Sequence, residues 1–309
     1  SDGKVGFAHK RLAIIDTSDN AAQPMSLFND EGEDRLVITY NGEIYNFKSL
    51  RDELIAQGHR FKSNSDTEVL LHLYDRFGDA MLDRLRGMYA FAIWDVHRQG
   101  LFLARDPFGI KPLYYADDGA TIRVASQVKA LLAGGKIEKS SEPAGQVGFH
   151  LFGFVPEPFT LYSNIQALPS GTSLWLEKGR IIQHQTFFDA RTHLADRDAN
   201  TDQTEKPARL RAALSSSVRD HLVSDVPVGI FLSSGLDSAT MTGLASEFAS
   251  SSLNTMTLRF KELSNGPMDE APLAEEIASL YGTRHQTRMV EEPIAPGIFL
   301  AGFLDCGHL

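Results

Sequence analysis

The sequence predicts two domains, an α+β layered domain followed by an α/β domain built on a parallel sheet. Three observations lead to this prediction. Short strand patterns interrupted by two helices fill the chain up to about Phe188. A polar segment without periodicity follows, and strict alternation of helix and strand patterns begins at residue 208. We therefore expect domains at 1–188 and 208–309, joined by a linker at 189–207.

Strands of the first domain are predicted where β-branched and aromatic residues cluster. They cover 35–40, 88–94, 101–104, 113–116 and 121–125. The first helix, 47–58, has one apolar face and a glycine as its stop signal. The second helix begins at Ser65, with Glu68 at capping-box spacing, and its apolar periodicity continues to Leu85.

The second domain alternates regularly between helix and strand. The predicted order is helix 208–223, strand 226–232, helix 238–249, strand 254–260, helix 269–281 and strand 284–290. Such alternation implies right-handed crossovers and a parallel sheet with helices on both faces. Ligands of such sheets bind beyond the carboxyl ends of the strands, where the loop 233–237 is expected.

Composition excludes several classes of function. The net charge of −10 and a pI near 5.5 argue against a nucleic-acid-binding surface. No apolar run approaches the roughly 20 residues that a membrane span needs. The single cysteine, Cys306, excludes an internal disulfide, and CxxC and HExxH spacings are absent, so we predict no transition-metal site. A reducing, cytoplasmic location fits this cysteine usage.

The stretch GIFLSSGLDS, at 229–238, is typical of a phosphate-binding loop between a strand and a helix. Small residues at 233–235 let a ligand approach the backbone, and Asp237 is placed for Mg²⁺ or a hydroxyl group. The loop is neither a Walker A motif nor a nucleophile elbow. It favours ATP held by its phosphates and cleaved at the α–β linkage, although a capped helix start also explains the pattern.

Three strings of the first domain stand out: HKRLAIID (9–16), YNGEIYN (40–46) and SNSDTE (63–68). Each also has a purely structural explanation. Arg11 could be a surface charge beside an edge strand, and Asn41-Gly42 is a common tight-turn dipeptide. Asp66 could serve a helix N-terminus.

Taken together, these strings resemble the glutaminase domain of glutamine-hydrolysing asparagine synthetases. The resemblance continues in order through RGMYAFAIWD, ARDPFGIKPLYY, ASQVKALL, HLVSDVPVGIFLSSGLDS and MDEAPLAEEIASLYGTRH. The loop Ser233–Ser238 is similar to the pyrophosphate-binding loop of ATP pyrophosphatases, usually SGGxDS, with Ser234 in place of the first glycine.

The resemblance implies an N-terminal-nucleophile amidohydrolase sandwich followed by an adenine-nucleotide α/β domain. It also implies that ATP, with Mg²⁺, activates aspartate as an acyl-adenylate, which ammonia from glutamine then attacks. A cytoplasmic enzyme acting on glutamine, ATP and aspartate is therefore expected, and a homodimer is possible.

The same resemblance assigns roles to individual residues. For glutamine, Arg11 would hold the α-carboxylate, and Glu43 and Asp66 the α-ammonium. Asn41 and the N–H of Gly42 would form an oxyanion hole. Ile14 and Ile15, expected on one strand with Arg11, would line the pocket with their backbone. For ATP, the implied residues are Leu232 and Leu258 beside the adenine, and Ser233, Ser234, Gly235, Asp237 and Ser238 around the pyrophosphate.

The sequence departs from the family pattern at both ends. The family's nucleophile is an N-terminal cysteine, whereas this sequence starts at Ser1, and Cys306 is not placed to substitute. We therefore expect no glutamine hydrolysis from this chain. Beyond residue 290 the resemblance stops, which predicts a fragment with a half-built nucleotide site.

Other functions remain open at this point. A sibling amidotransferase could aminate a different carboxylate, for example on a polysaccharide precursor. A non-catalytic remnant could bind glutamine or ATP without turnover. A phosphoribosyl-diphosphate amidotransferase shares the first-domain strings, but it predicts an acidic pair before a Thr-rich loop where this chain has SSGLDS.

Overall fold

The computed structural model describes residues 4–195, 204–249 and 252–290. The chain divides into two compact units, Ser1–Asn200 and Thr201–Leu309. Among the described residues, no helix is both long enough and apolar enough to cross a membrane.

The first unit is built mainly from antiparallel strands. Its strands are β1 (Met25–Phe28), β2 (Asp34–Ile44), β3 (Gly87–Asp95), β4 (Gly100–Arg105), β5 (Tyr114–Asp117), β6 (Ile122–Ala125), β7 (Gln166–Ala167), β8 (Thr172–Glu177) and β9 (Arg180–Thr186). Its α-helices are α1 (Phe47–Ala56), α2 (Asp66–Phe77), α3 (Val128–Ala133), α4 (Pro143–Phe152) and α5 (Ala190–Ala195). Two 3-10 turns lie at Asp19–Ala21 and Gly78–Arg84.

These elements stack as four layers. The strands form a six-stranded sheet of order β1-β2-β3-β4-β8-β9 and a smaller sheet of order β6-β5-β7. Leu103 and Leu174 of the large sheet pack with Leu113 and Leu168, which flank strands of the small sheet. On the outer faces, α2 stacks Tyr74 against Phe102, and α3 packs Leu131 against the small sheet. The predicted α+β sandwich is therefore confirmed.

The second helix is shorter than its apolar periodicity predicted. It ends at Phe77 because Gly78 takes a left-handed φ of 57° and donates its N–H to the carbonyl of Tyr74. The apolar pattern continues through the 3-10 turn Gly78–Arg84, where Met81 and Leu82 are buried. Periodicity alone does not distinguish these two kinds of helix, since both bury residues three to four apart.

The second unit contains a short parallel sheet. Its elements are α6 (Lys206–His221), β10 (Gly229–Phe231), α7 (Leu236–Phe248), β11 (Asn254–Phe260), a 3-10 turn (Lys261–Leu263), α8 (Ala271–Leu280) and β12 (Arg284–Val290). The described strands pair in parallel in the order β10-β11-β12. Right-handed crossovers in this order place α7 and α8 on the same face, whereas the sequence pattern predicted helices on both faces.

The segment predicted as a linker is partly helical. Helix α5 occupies its first residues, and Asp189 caps that helix by accepting from the N–H of Arg191 at 2.9 Å. At the other end, α6 begins at Lys206, two residues before the predicted start of the domain. The domain boundaries at 188 and 208 stay a prediction.

Candidate functional site

The segment 9–16 forms an irregular turn, so the prediction that Ile14 and Ile15 lie on a strand with Arg11 is wrong. The guanidinium of Arg11 folds back, and its Nη2 donates to the carbonyls of Ile15 at 2.6 Å and Asp16 at 2.7 Å. Asp16 takes a left-handed φ of 51°, which lies outside the range of an extended strand. These two features prevent an extended strand.

Asp16 connects this turn to the segment 63–66. Its Oδ2 accepts from the backbone N–H of Asn64 at 2.7 Å, and its Oδ1 accepts from the N–H and hydroxyl of Ser18 at 3.1 and 2.6 Å. Burial acts to raise the pKa of Asp16, but the hydrogen bonds from Ser18 and Asn64, together with the charge of Arg11, lower it overall. Sequence reasoning did not select Asp16, although it lies in the string HKRLAIID.

Asp66 is the first residue of α2, and its carboxyl group is almost fully buried. Its Oδ2 accepts from the hydroxyl of Tyr40 at 2.9 Å and from the backbone N–H of Ile44 at 3.0 Å, which attaches the helix start to β2. Burial raises the pKa of Asp66, and these hydrogen bonds oppose that shift. The group is therefore held in a place where a neighbouring cation would stabilise its ionised form.

The turn before α2 is fixed by two side chains. Ser65 is the N-cap as predicted, since its hydroxyl accepts from the N–H of Thr67 at 3.1 Å. Glu68 does not complete a capping box with Ser65. Its carboxylate instead reaches further back and accepts from the N–H groups of Lys62 at 2.8 Å and Ser63 at 2.7 Å.

Asn41 and Gly42 lie inside β2, paired with Ala90 and Tyr89 of β3, and not in a tight turn. A Cβ at Gly42 would overlap the carbonyl oxygen of Met88 and stand 2.7 Å from the Cα of Tyr89. Only glycine therefore fits at this position. Asn41 is exposed, while Glu43, two residues later, is buried.

Hydrogen bonds bring the predicted first-domain residues into one neighbourhood. Arg11 is tied to Asp16, Asp16 to Asn64, and Asp66 to β2 beside Glu43. Burial, and after it the charges of Asp66 and Glu43, raise the pKa of Tyr40 well above its usual value, and the Tyr40 hydroxyl donates to Asp66 at 2.9 Å. A guanidinium on one turn, and two buried acids on the segments bonded to that turn, suit a small molecule that carries both a carboxylate and an ammonium group.

In the second unit, the loop after β10 is closed by the hydroxyl of Ser238. This oxygen accepts from the N–H of Ser233 at 3.1 Å and lies 2.9 Å from the Ser233 hydroxyl, which in turn accepts from the N–H of Gly235 at 3.1 Å. Helix α7 begins at Leu236, two residues earlier than predicted. The N–H groups of its first turn point toward the loop without intrahelical partners.

The serine that replaces the usual first glycine of this loop causes no backbone strain. Ser234 is not among the residues with a positive φ, and Gly235 has a φ of −71°. A Cβ at Gly235 would meet only the Ser233 hydroxyl, at 3.1 Å. The loop conformation therefore needs no glycine for its dihedral angles.

The two leucines predicted beside a nucleotide base lie in different surroundings. Leu232 is buried and packs against Ala274 and Ala278 of α8, so its side chain belongs to the core. Leu258 is half-buried on β11. Because neighbouring strand residues alternate, Leu258 points to the face opposite Thr257, whose hydroxyl donates to the carbonyl of Leu232 at 2.5 Å.

The remaining predicted residues concern metal and nucleophile chemistry. Asp237 is exposed on the first turn of α7. Across the residues that the structure describes, no group of three or more His, Cys, Asp or Glu side chains could hold a metal ion. Ser1 and Cys306 lie outside the described residues.

Two family models match the chain. The model described as a glutamine amidotransferase domain matches residues 1–188, and the one described as asparagine synthase matches residues 209–296. The two matches cover the two units in order.

Individual proteins are similar over most of this chain. Asparagine synthetase [glutamine-hydrolyzing] 1 of Bacillus subtilis (strain 168) is 38% identical over 290 residues, which are 94% of this chain and 44% of that protein. Asparagine synthetase B [glutamine-hydrolyzing] of Escherichia coli (strain K12) is 37% identical over 246 residues, which are 79% of this chain and 37% of that protein. The chain thus spans less than half the length of each.

Among solved structures, a glutamine phosphoribosylpyrophosphate amidotransferase from B. subtilis, complexed with ADP and GMP, aligns at 18% identity and a TM-score of 0.42. The alignment covers 95% of this chain and 55% of that chain. A likeness at this score supports no conclusion about the site.

Proposed function

Because the chain belongs to the glutamine amidotransferase domain family through residues 1–188, we propose that its first unit binds L-glutamine and that the chain is part of a glutamine-dependent asparagine synthetase. The proposed reaction is ATP-driven amidation of aspartate through an acyl-adenylate, with ammonia from glutamine. One observation carries the proposal: hydrogen bonds join the Arg11 turn to the Asp66 turn, and the Asp66 turn to β2.

Arg11 is the proposed contact for the α-carboxylate of glutamine. Its Nη2 is used on two backbone carbonyls, which leaves Nη1 and Nε without a hydrogen-bond partner among the described residues. A guanidinium already fixed by its own chain loses little entropy when it binds a carboxylate. Ile14 and Ile15 are proposed to line the same pocket through their backbone.

Asp66 and Glu43 are the proposed contacts for the α-ammonium group. Burial holds the pKa of Asp66 above its usual value, so an incoming cation would stabilise the ionised carboxylate and lower that pKa. The proposed oxyanion hole consists of the Asn41 side chain and the N–H of Gly42. Such donors act on charge that develops only in the tetrahedral intermediate.

The second unit is proposed to bind ATP at the loop 233–238. The first-turn N–H groups of α7 and the small residues before them suit a pyrophosphate, and the backbone near Leu232 and Leu258 would lie beside the adenine. Mg²⁺ commonly uses one or two carboxylates together with substrate phosphates, and the exposed Asp237 would supply such a carboxylate. When bound, the ion would neutralise phosphate charge.

Calorimetric titration of the full chain with L-glutamine tests the first part. We expect saturable binding, with L-glutamate and D-glutamine binding more weakly. Arg11→Lys should raise the Kd at least about tenfold, because one charge-assisted hydrogen bond contributes roughly 1.5–3 kcal/mol. Arg180→Lys, a matched change on the exposed start of β9, should leave the Kd unchanged. A chain that does not bind L-glutamine would disprove the proposal.

The acceptor and the nucleotide need a separate experiment. Aspartate-dependent exchange of labelled pyrophosphate into ATP, with MgCl₂ present, would show that aspartate is the carboxylate being activated. If another carboxylate supports exchange and aspartate does not, the sibling amidotransferase is the better assignment.

Two broader properties belong to the same proposal. We propose a cytoplasmic location, in line with the single cysteine, and a homodimer. Cell fractionation and light scattering of the purified chain test these in turn, and a monomeric mass would reject the dimer.

A further inference from the structure

We propose that Asp16 is a positioning residue that sets the spacing between the carboxylate contact and the ammonium contact of the glutamine pocket. This inference rests on the proposed function and deepens it, since it gives a role to a residue of the string HKRLAIID that is not among the assigned glutamine contacts. Asp16 would not touch glutamine itself. It would act through Arg11 on one side and through the Asp66 turn on the other.

The geometry that supports this role is a single residue bonded to both turns. The backbone carbonyl of Asp16 accepts from Arg11 Nη2 at 2.7 Å. Its carboxylate Oδ2 accepts from the N–H of Asn64 at 2.7 Å, two residues before Asp66. Asp16 is 9% exposed, so both bonds are largely shielded from water.

The conformation of Asp16 is itself constrained. Its φ of 51° is uncommon for a residue with a side chain, and aspartate tolerates it better than most because of local hydrogen bonds. Here the N–H and hydroxyl of Ser18 supply such bonds to Oδ1. One oxygen of the carboxylate therefore accepts from Ser18, while the other accepts from Asn64.

Both turns also have bonds to β2, the first through His9, whose Nδ1 lies 3.1 Å from Oγ1 of Thr39, and the second through Asp66. Glu68 fixes residues 62 and 63 to helix α2, and Asp66 attaches the same helix to β2. Arg11 fixes only its own turn, by bonding to Ile15 and Asp16. The Asp16–Asn64 bond thus joins the turn that carries the guanidinium to the turn that carries the buried acid.

A fixed spacing matters because the α-carboxylate and α-ammonium of an amino acid are attached to one carbon. Two contacts held at the matching spacing bind both groups together, whereas contacts that move independently lose part of this advantage. A ligand with only one of the two groups does not benefit from the spacing. Loss of the Asp16 bond should therefore weaken binding of the complete amino acid more than binding of a ligand that carries only one of the two groups.

The test compares three ligands on the full chain by calorimetry and ligand-observed NMR. They are L-glutamine, glutaramate, which lacks the α-ammonium, and 4-aminobutanamide, which lacks the α-carboxylate. Asp16→Asn should weaken L-glutamine binding about tenfold or more, as expected for loss of a charge-assisted hydrogen bond. The Kd values of the two partial ligands should change less than about twofold, because each uses one contact only.

Asp19→Asn removes the same charge from an exposed neighbour and should change none of the three affinities. Ser18→Ala removes only the hydroxyl bond to Oδ1 and should give a smaller loss of the same selective kind, which keeps the test usable if Asp16→Asn does not fold.

The outcomes separate the two hypotheses. If the wild-type chain does not bind L-glutamine, the proposed function fails and this inference fails with it. If the wild type binds but Asp16→Asn keeps its affinity, or loses affinity equally for all three ligands, the positioning role alone is overturned. An equal loss would indicate a purely structural residue.

Discussion

Asp106→Asn should destabilise the first unit strongly, because this buried carboxylate organises the loop that follows β4. Asp106 is fully buried, and its Oδ1 accepts from the N–H groups of Phe108 and Ile110, both at 3.0 Å. Its Oδ2 accepts from Lys111 at 3.0 Å and Tyr89 at 3.2 Å. Asparagine keeps the shape but has only one acceptor oxygen, so its NH₂ group, itself a donor, would face two backbone N–H donors.

The magnitude follows from these two lost bonds. A hydrogen bond to a charged group contributes roughly 1.5–3 kcal/mol, so the expected loss in the free energy of unfolding is about 3–6 kcal/mol. For a unit of this size, that corresponds to a fall in Tm on the order of 10 °C. Glutamine affinity should fall as well, because the backbone of Tyr89, which donates to Asp106, pairs with Gly42 across β2 and β3.

Urea unfolding followed by tryptophan fluorescence measures this effect in one unit alone. The two tryptophans of the sequence, Trp94 and Trp175, lie on β3 and β8 of the first unit. Asp118→Asn is the control, since that aspartate accepts from two backbone N–H groups and from Arg123, but in an exposed turn where water can replace these bonds. If both variants unfold at the same urea concentration as the wild type, the argument from burial is wrong.

Three further predictions concern the two sites. Burial raises the folded-state pKa of Asp66, so the stability linked to this group is present in acid and is lost as the pH rises through that pKa. Asp66→Asn should therefore raise Tm near pH 7 but not near pH 3. The same variant should abolish glutamine binding. Thermal melts at both pH values check this, and a lower Tm at pH 7 would contradict it. Gly42→Ala should lower the free energy of unfolding by about 1–3 kcal/mol or more and weaken glutamine binding, because the new methyl group overlaps a carbonyl of β3. In the control Gly6→Ala, the new methyl group meets nothing within 4 Å, and glutamine binding should not change in the same titration. Ser238→Ala should weaken binding of ATP with Mg²⁺ several-fold in calorimetry, whereas the control Ser246→Ala, on the same helix, should not. If the two variants bind ATP with equal affinity, the result would argue against a role for the loop.

Local patterns were sufficient for much of the fold. Strand β3 and helix α1 were predicted close to their observed bounds, because alternating or helical placement of bulky residues reflects burial on one face. The edge strand β9 was missed, since most of its residues are exposed and polar. Helix α4 was missed as well, because it packs through Gly145 and Gly148, which carry no apolar signal.

The sequence by itself determined the order of the two units, the strings that identify the candidate residues, and the N-cap of α2 at Ser65. These depend on residues close together in the chain. Only the tertiary structure decided that Gly42 lies in a paired strand, that Leu232 belongs to the core, and that Asp16 meets Asn64, 48 residues away. Hydrogen bonds between distant residues form only when packing brings their segments together, and no local pattern specifies which donor a buried carboxylate will meet.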